Sequence, residues 1–148
     1  MKRILISFIA LFVSINVSKA KVVVTLQQLE GTWVVIDPTY EDMSETCRFF
    51  NNQFAWTRQY DLRSRVETLT NNIQYYLSTG IPVRYDSTLV GKVKSGTHII
   101  YYAPKRKLIK YYEIVSLKGD ILTISYYAPR AVGRNAGTVT LTLKRVSR

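Results

Sequence analysis

Residues 97–127 read THIIYY-APKRK-LIKYYEIVSL-KG-DILTISYY, three runs of β-branched and aromatic residues parted by a five-residue basic loop and a two-residue turn. Such residues favour a pleated, half-buried surface, and a Gly in a short connection tolerates the positive φ of a tight hairpin. The stretch therefore predicts three antiparallel strands in chain order. Outward from it the pattern continues, giving ten candidate strands at 32–37, 46–50, 53–60, 63–69, 73–78, 88–94, 97–102, 108–117, 120–127 and 138–146. No long stripe of helical period accompanies them. The one helical signal is Thr25-Leu26-Gln27-Gln28, whose Thr and Gln have capping-box spacing and predict a short turn of helix.

The connections alternate in length. Asn51-Asn52, Thr70-Asn71-Asn72, Ser95-Gly96 and Lys118-Gly119 are short, whereas 38–45, 61–62, 79–87, 103–107 and 128–137 are mostly longer. Successive turns of a meander fall at opposite ends, so the tight turns share one end and the long loops the other. The expected fold is all-β, an antiparallel up-and-down β-barrel of about 8–10 strands, since closure removes exposed sheet edges. A Greek-key sandwich is the competing arrangement, but its long crossovers break the alternation.

Ahead of this domain, Lys2 and Arg3 precede an apolar stretch over 4–13 broken only by Ser7, and Ser18-Lys19-Ala20 supplies small residues for cleavage. Residues 1–20 are thus expected to be a secretory signal peptide cleaved after Ala20, leaving a secreted or periplasmic barrel domain over 21–148. The apolar stretch is shorter than the roughly 20 residues that span a bilayer, so no stable membrane insertion is expected. No cysteine adjoins it to accept a lipid.

Of the +11 formal net charge, residues 21–79 carry −2 and residues 80–148 carry +10. A basic C-terminal half points to anionic small molecules, a protein partner or an acidic glycan. Nucleic acid is not expected, because no recognition motif accompanies the charge. One Cys and one His exclude a disulfide framework and a structural zinc site.

Enzymatic readings find little to build on. No Ser–His–Asp order, phosphate loop or metal-ligand spacing is present. His98 in a strand beside Ile99 and Ile100 reads as structural. Cys47 reads as a small buried hydrophobe or, if exposed, as a link between two chains. Asp61 with Glu67, or Glu41 with Asp42, could pair as carboxylates, but nothing brings either pair across a cleft. The expectation is no enzyme, no cofactor and no metal.

Eight of the eleven tyrosines form the doublets 75–76, 101–102, 111–112 and 126–127. Adjacent strand residues face opposite ways, so each doublet puts one ring inside a barrel and one outside. Tyr76, Tyr102, Tyr111 and Tyr126, or their doublet partners, are candidate walls for an amphipathic ligand; β-propensity and core filling are the alternative explanation. Lys105, Arg106, Arg130 and Arg134 form a candidate cationic rim at the same end, with Arg84 on a third long loop. The alternative is a solvated surface. Glu41, Asp42 and Glu45 on the first long loop are placed to neutralise part of it.

Leu29-Glu30-Gly31-Thr32-Trp33, directly after the capping box, resembles the opening of the lipocalin and calycin superfamily, in which Gly-x-Trp starts the first strand. In that family a basic residue of the last strand packs across the tryptophan, and Arg145, or alternatively Lys144, stands in the corresponding place. The resemblance thus assigns Gly31, Trp33 and Arg145 a structural role. The chain is also similar to small secreted bacterial lipocalin-like domains, through the Leu-x-Gly-Thr-Trp opening, the Tyr-Tyr-Leu-Ser at 75–78 and the final Lys-Arg-Val. The cytosolic fatty-acid-binding branch matches less well: 38–45 has no room for its helix pair, and Leu141-Thr142-Leu143 stands where its Arg-x-Tyr clamp would be. The expected function is a non-enzymatic secreted barrel that binds a small amphipathic, anionic molecule at its open end, the tyrosines supplying the walls and the basic loops the charge. The alternative is a filled barrel that acts as a surface or interaction module through its basic long loops.

Overall fold

The computed structural model describes residues 20–36, 43–60, 65–130 and 135–148. The expected leader up to residue 19, Glu41, Asp42, Asp61 and Arg134 lie outside the described residues. Asn51 and Asn52 take φ of 47° and 58°, the geometry of a two-residue hairpin turn whose twist matches that of its strands. They join β3 (Met43–Phe50) to β4 (Gln53–Tyr60). The turn pairs Phe50 with Gln53 and so fixes every later pairing of that hairpin, including Cys47 with Trp56 and Glu45 with Arg58. Lys118 pairs with Ile121 around Gly119 at φ 57° in the same way, joining β8 (Leu108–Lys118) to β9 (Ile121–Ala128).

The other elements are β1 (Val24–Thr25), α1 (Leu26–Leu29), β2 (Gly31–Val35), β5 (Arg65–Ser78), β6 (Ser95–Gly96), β7 (His98–Ala103) and β10 (Gly137–Ser147). Eight strands close into an antiparallel up-and-down barrel in the order β10-β2-β3-β4-β5-β7-β8-β9, and the expected fold class is borne out. β1 and β6 form a separate two-stranded ribbon. The capping box is formed: Thr25 N–H donates to Gln28 Oε1 (2.8 Å), and Gln28 N–H donates to Thr25 Oγ1 (3.2 Å).

Three local expectations are corrected. The runs at 63–69 and 73–78 are one strand, β5, because Thr70-Asn71-Asn72 forms an irregularity in the ladder with Asn72 at φ 46° rather than a chain reversal. The run at 88–94 is no strand: Asp86 Oδ1 accepts from Thr88 N (2.9 Å) and Thr88 Oγ1 (2.6 Å), which caps a 3₁₀ turn over Ser87–Leu89. Ser95-Gly96 is no hairpin turn, because these residues pair with Val24 and Thr25. Gly96 is required there, since a Cβ would stand 2.6 Å from Ser78 N.

These corrections have opposite effects on the alternation of ends. Losing the turn at 70–72 moves the start of the 79–97 connection to the tight-turn end, and losing the strand at 88–94 makes that connection a single excursion. From β7 onward the chain is back in phase, so 103–107 and the loop after β9 lie at the long-loop end as expected. Arg84 does not sit on a mouth loop rooted at that end. Its segment leaves β5 at the opposite end and runs along the outer wall, where it meets Tyr102 and Leu108.

The tight-turn end is a filled base. Leu29, Trp33, Phe49, Leu77, Ile99, Leu122 and Leu143 are buried there in one core. Trp33 Nε1 donates to Leu29 O (2.8 Å), which ties the barrel to the helical turn below it. The Arg145 guanidinium lies 4.2 Å from the Trp33 ring centre, a cation–π arrangement, and donates to Gln28 O (2.6 Å), Glu30 O and Asp120 Oδ1 (3.1 Å). Gly31 has φ 125°, and a Cβ on it would strike the Ser147 carbonyl.

Candidate functional site

Closure decides which ring of each tyrosine doublet faces inward. Tyr75 and Tyr101 are direct cross-strand partners and belong to the core, with Tyr112 packed against it. Tyr76 and Tyr111 each pair with Ile100 on the outer face, where Tyr102 also lies. Tyr126 packs edge-on against Tyr112 with ring centres 5.6 Å apart, so it faces inward and Tyr127 outward. Of Tyr76, Tyr102, Tyr111 and Tyr126, Tyr126 faces the interior, and Tyr111, rooted on the outer face, also borders the open space at the long-loop end; Tyr75, Tyr101 and Tyr112 are the inward members of the other doublets.

Above the base, Phe54, Tyr75 and Tyr101 form an aromatic floor with edge-on contacts. Tyr112 stands over it, stacked on Tyr101 at 5.5 Å and on Trp56 at 5.8 Å. The space between this platform and the long-loop end is a cup of about 870 Å³ bordered by Trp56, Tyr101, Tyr112, Tyr126, Val139 and Leu141. Small-molecule pockets span about 300–1,000 Å³, and an eight-stranded barrel is just wide enough to hold side chains or one small ligand. Here side chains fill the base and leave the upper part open. Burial pushes the Tyr112 and Tyr101 phenols up, so both stay neutral hydrogen-bonding groups at physiological pH.

Charge enters the cup on three strands. Glu45 is 9% exposed and accepts from Trp56 Nε1 (3.1 Å) and from Arg58 Nε (2.9 Å) and an Arg58 terminal nitrogen (2.7 Å). Arg58 also reaches the Tyr60 hydroxyl (3.4 Å), which donates to Glu67 (3.2 Å). Burial works against the Arg58 charge, but Tyr60 and Glu45 outweigh it and hold the guanidinium above its ordinary value. Glu45 thus neutralises Arg58 from within β3 rather than a rim cation from the first long loop, because β3 begins at Met43 and not at residue 46.

Lys110 pairs with Tyr101 across β7 and β8, which turns it toward the cup. The ion pairs among the described residues are Arg58–Glu45 and Arg145–Asp120, so no carboxylate there balances Lys110. Burial and then the nearby Arg106 charge lower its pKa. Arg106, on the turn between β7 and β8, also borders the cup. Of the other rim residues, Lys105 is exposed on the same turn and Arg130 is exposed just beyond β9.

Sequence reasoning missed Trp56, Arg58 and Lys110 and placed Glu45 on a loop. A signal for them exists: counting inward from Asn51-Asn52 pairs Glu45 with Arg58, and the face Leu108-Lys110-Tyr112-Ile114 carries a cation within an otherwise apolar series. His98 is buried with Nδ1 2.8 Å from Thr97 Oγ1, and Cys47 is buried in the core, where burial raises its thiol pKa. Among the described residues no cluster of His, Cys, Asp and Glu could hold a metal, and no helix is long and apolar enough to cross a membrane.

Comparisons with protein-family models, with curated proteins and with solved structures find no match. The closed eight-strand topology is compatible with a lipocalin-like fold.

Proposed function

We propose that this protein is a non-enzymatic, secreted or periplasmic lipocalin-like barrel that binds a small amphipathic anion in its cup. Lys110 carries the reading: an inward cation with no ion-pair partner among the described residues, set against Tyr101 and Tyr112 in a space large enough for a ligand. Lys110 is half-buried, so its charge is partly withdrawn from water, and a ligand carboxylate, sulfonate or phosphate supplies a charge-assisted partner. Stacked aromatic rings receive the apolar body of the ligand, and the neutral phenols take its polar atoms. The signal peptide expected over residues 1–20 supports a location outside the cytoplasm.

The test is a fluorescence titration with the amphipathic anion 1-anilinonaphthalene-8-sulfonate, beside native mass spectrometry of protein purified from its own envelope. Saturable one-to-one binding is expected. Lys110→Gln combined with Arg106→Gln should weaken it about tenfold or more, the worth of a charge-assisted hydrogen bond. Affinity should be constant at neutral pH and fall as pH rises through the lowered Lys110 pKa, where the cation is lost. No saturable binding, together with a mass spectrum free of retained small molecules, would instead support an interaction module acting through the basic loops.

A further inference from the structure

The β7–β8 hairpin that supplies Lys110 and Tyr101 to the cup carries a second constellation on its outer face. Tyr85, in the connection between β5 and β6, packs its ring 5.4 Å from Tyr76 and 6.0 Å from Tyr102, and its hydroxyl donates to Gln74 O (3.3 Å). This clasp buries Tyr76 and anchors the connection beside the wall at Tyr85. Ile81, Val83 and Arg84 thereby face Tyr102, Lys107 and Leu108 across an open cleft of about 660 Å³.

Two properties set this cleft apart from ordinary surface. Exposed apolar side chains on soluble proteins are normally scattered singly, but here Val83 (96% exposed), Ile81 (54%), Leu108 (43%) and Tyr102 (38%) converge on one place. The charged residues lining it are Arg84 and Lys107, with no carboxylate among the lining residues. Lys105 and Arg106 stand beside Lys107 on the same turn.

We propose that this outer face docks on an anionic lipid surface. The exposure pattern favours a lipid boundary over a peptide, because a peptide groove recesses its apolar groups whereas Val83 projects almost wholly into solvent. Aliphatic tips beside tyrosines and flanking cations match the layering of acyl chain, headgroup boundary and anionic phosphate. The attachment is peripheral. Leu108 and Ile109 border both cleft and cup, so docking brings the cup mouth next to the membrane.

The experiment is flotation of the purified protein with phosphatidylcholine vesicles, with and without roughly 30% phosphatidylglycerol, over a salt series. Binding to the anionic vesicles alone, weakened by salt, is expected. Ile81→Ser with Val83→Ser should lower the partition coefficient about tenfold or more through lost apolar burial. Arg84→Gln with Lys107→Gln should lower it and flatten its salt dependence. All four residues are solvent-facing, so near-unchanged circular dichroism is expected in both variants. Lys110→Gln, inside the cup, should leave flotation unchanged, which separates this proposal from the cup reading. The proposal is overturned if wild-type protein fails to float, if the aliphatic double variant floats like wild type, or if Lys110→Gln abolishes binding. Capture of an acidic peptide in place of vesicles would also overturn it.

Discussion

The base and the mouth of this barrel are built from the same strands and obey opposite rules. At the base the core side chains are apolar, and the Arg145 cation is occupied by the Trp33 face, two backbone carbonyls and Asp120. At the mouth the same inward positions carry Glu45, Arg58 and Lys110 around open volume, and Lys110 has no ion-pair partner among the described residues. A barrel can leave one end under-packed and electrostatically unbalanced only if the other end supplies the stability. Stability and the proposed binding are thus divided along the barrel axis.

Mutations should respect that division, and the largest effect belongs to the base. Trp33→Ala removes a fully buried indole and its bond to Leu29, and is expected to destabilise by about 3–5 kcal/mol in urea denaturation. A midpoint near wild type would mean that the base is not the anchor. At the mouth, Glu45→Gln strips Arg58 of its counter-charge while keeping shape, with an expected loss of about 1–3 kcal/mol. A loss as large as that of Trp33→Ala would show that the mouth network shares the structural load.

Lys110→Met is the sharper probe, because it should separate the two properties. Removing a cation that burial and Arg106 already disfavour should leave stability unchanged or slightly raised, by less than ~1 kcal/mol given solvent screening, while affinity for the anionic dye falls. Parallel losses of stability and binding would assign Lys110 to the scaffold.

The smallest effect is expected from His98, on the outer side of β7 with Thr97, Tyr111, Glu113 and Lys21 around it. Burial lowers its pKa, Glu113 acts in the opposite sense and Lys21 adds to the lowering. The unfolded chain therefore binds the proton first as pH falls. His98 should contribute a shallow loss of stability from about pH 6.5 down to its lower folded-state pKa, and none above. A His98→Gln variant with an unaltered pH profile would remove His98 as the source.

Two asparagine pairs show how far local reading reaches. Asn51-Asn52 and Asn71-Asn72 carry the same turn chemistry, yet the first reverses the chain and the second only disturbs the ladder. In the second, Thr70 and Ile73 on either side both remain paired with β4, to Trp56 and Phe54. Cross-strand pairing, not residue preference, chose between them. The run at 88–94 failed for a more local reason: the side-chain bonds of Asp86 favour a helical turn, and a periodicity of apolar residues does not register them. The two errors cancelled in the count of ends, so the basic turn at 103–107 fell at the correct end, whereas the segment of Arg84 is rooted at the other end and reaches that turn along the outer wall.

By itself the sequence determined the all-β class, the up-and-down order, the capped helical turn and the division of each tyrosine doublet between two faces. All of these follow from period-two alternation and turn chemistry, which act between near neighbours. The tertiary structure alone decided that Tyr101 and Tyr112 rather than Tyr102 and Tyr111 face inward, that Lys110 joins them, and that Ile81 and Val83 are held beside Tyr102. A strand has two equivalent faces until closure makes one of them an interior. Only the ring of eight strands breaks that symmetry, and with it the choice between cup and outer wall.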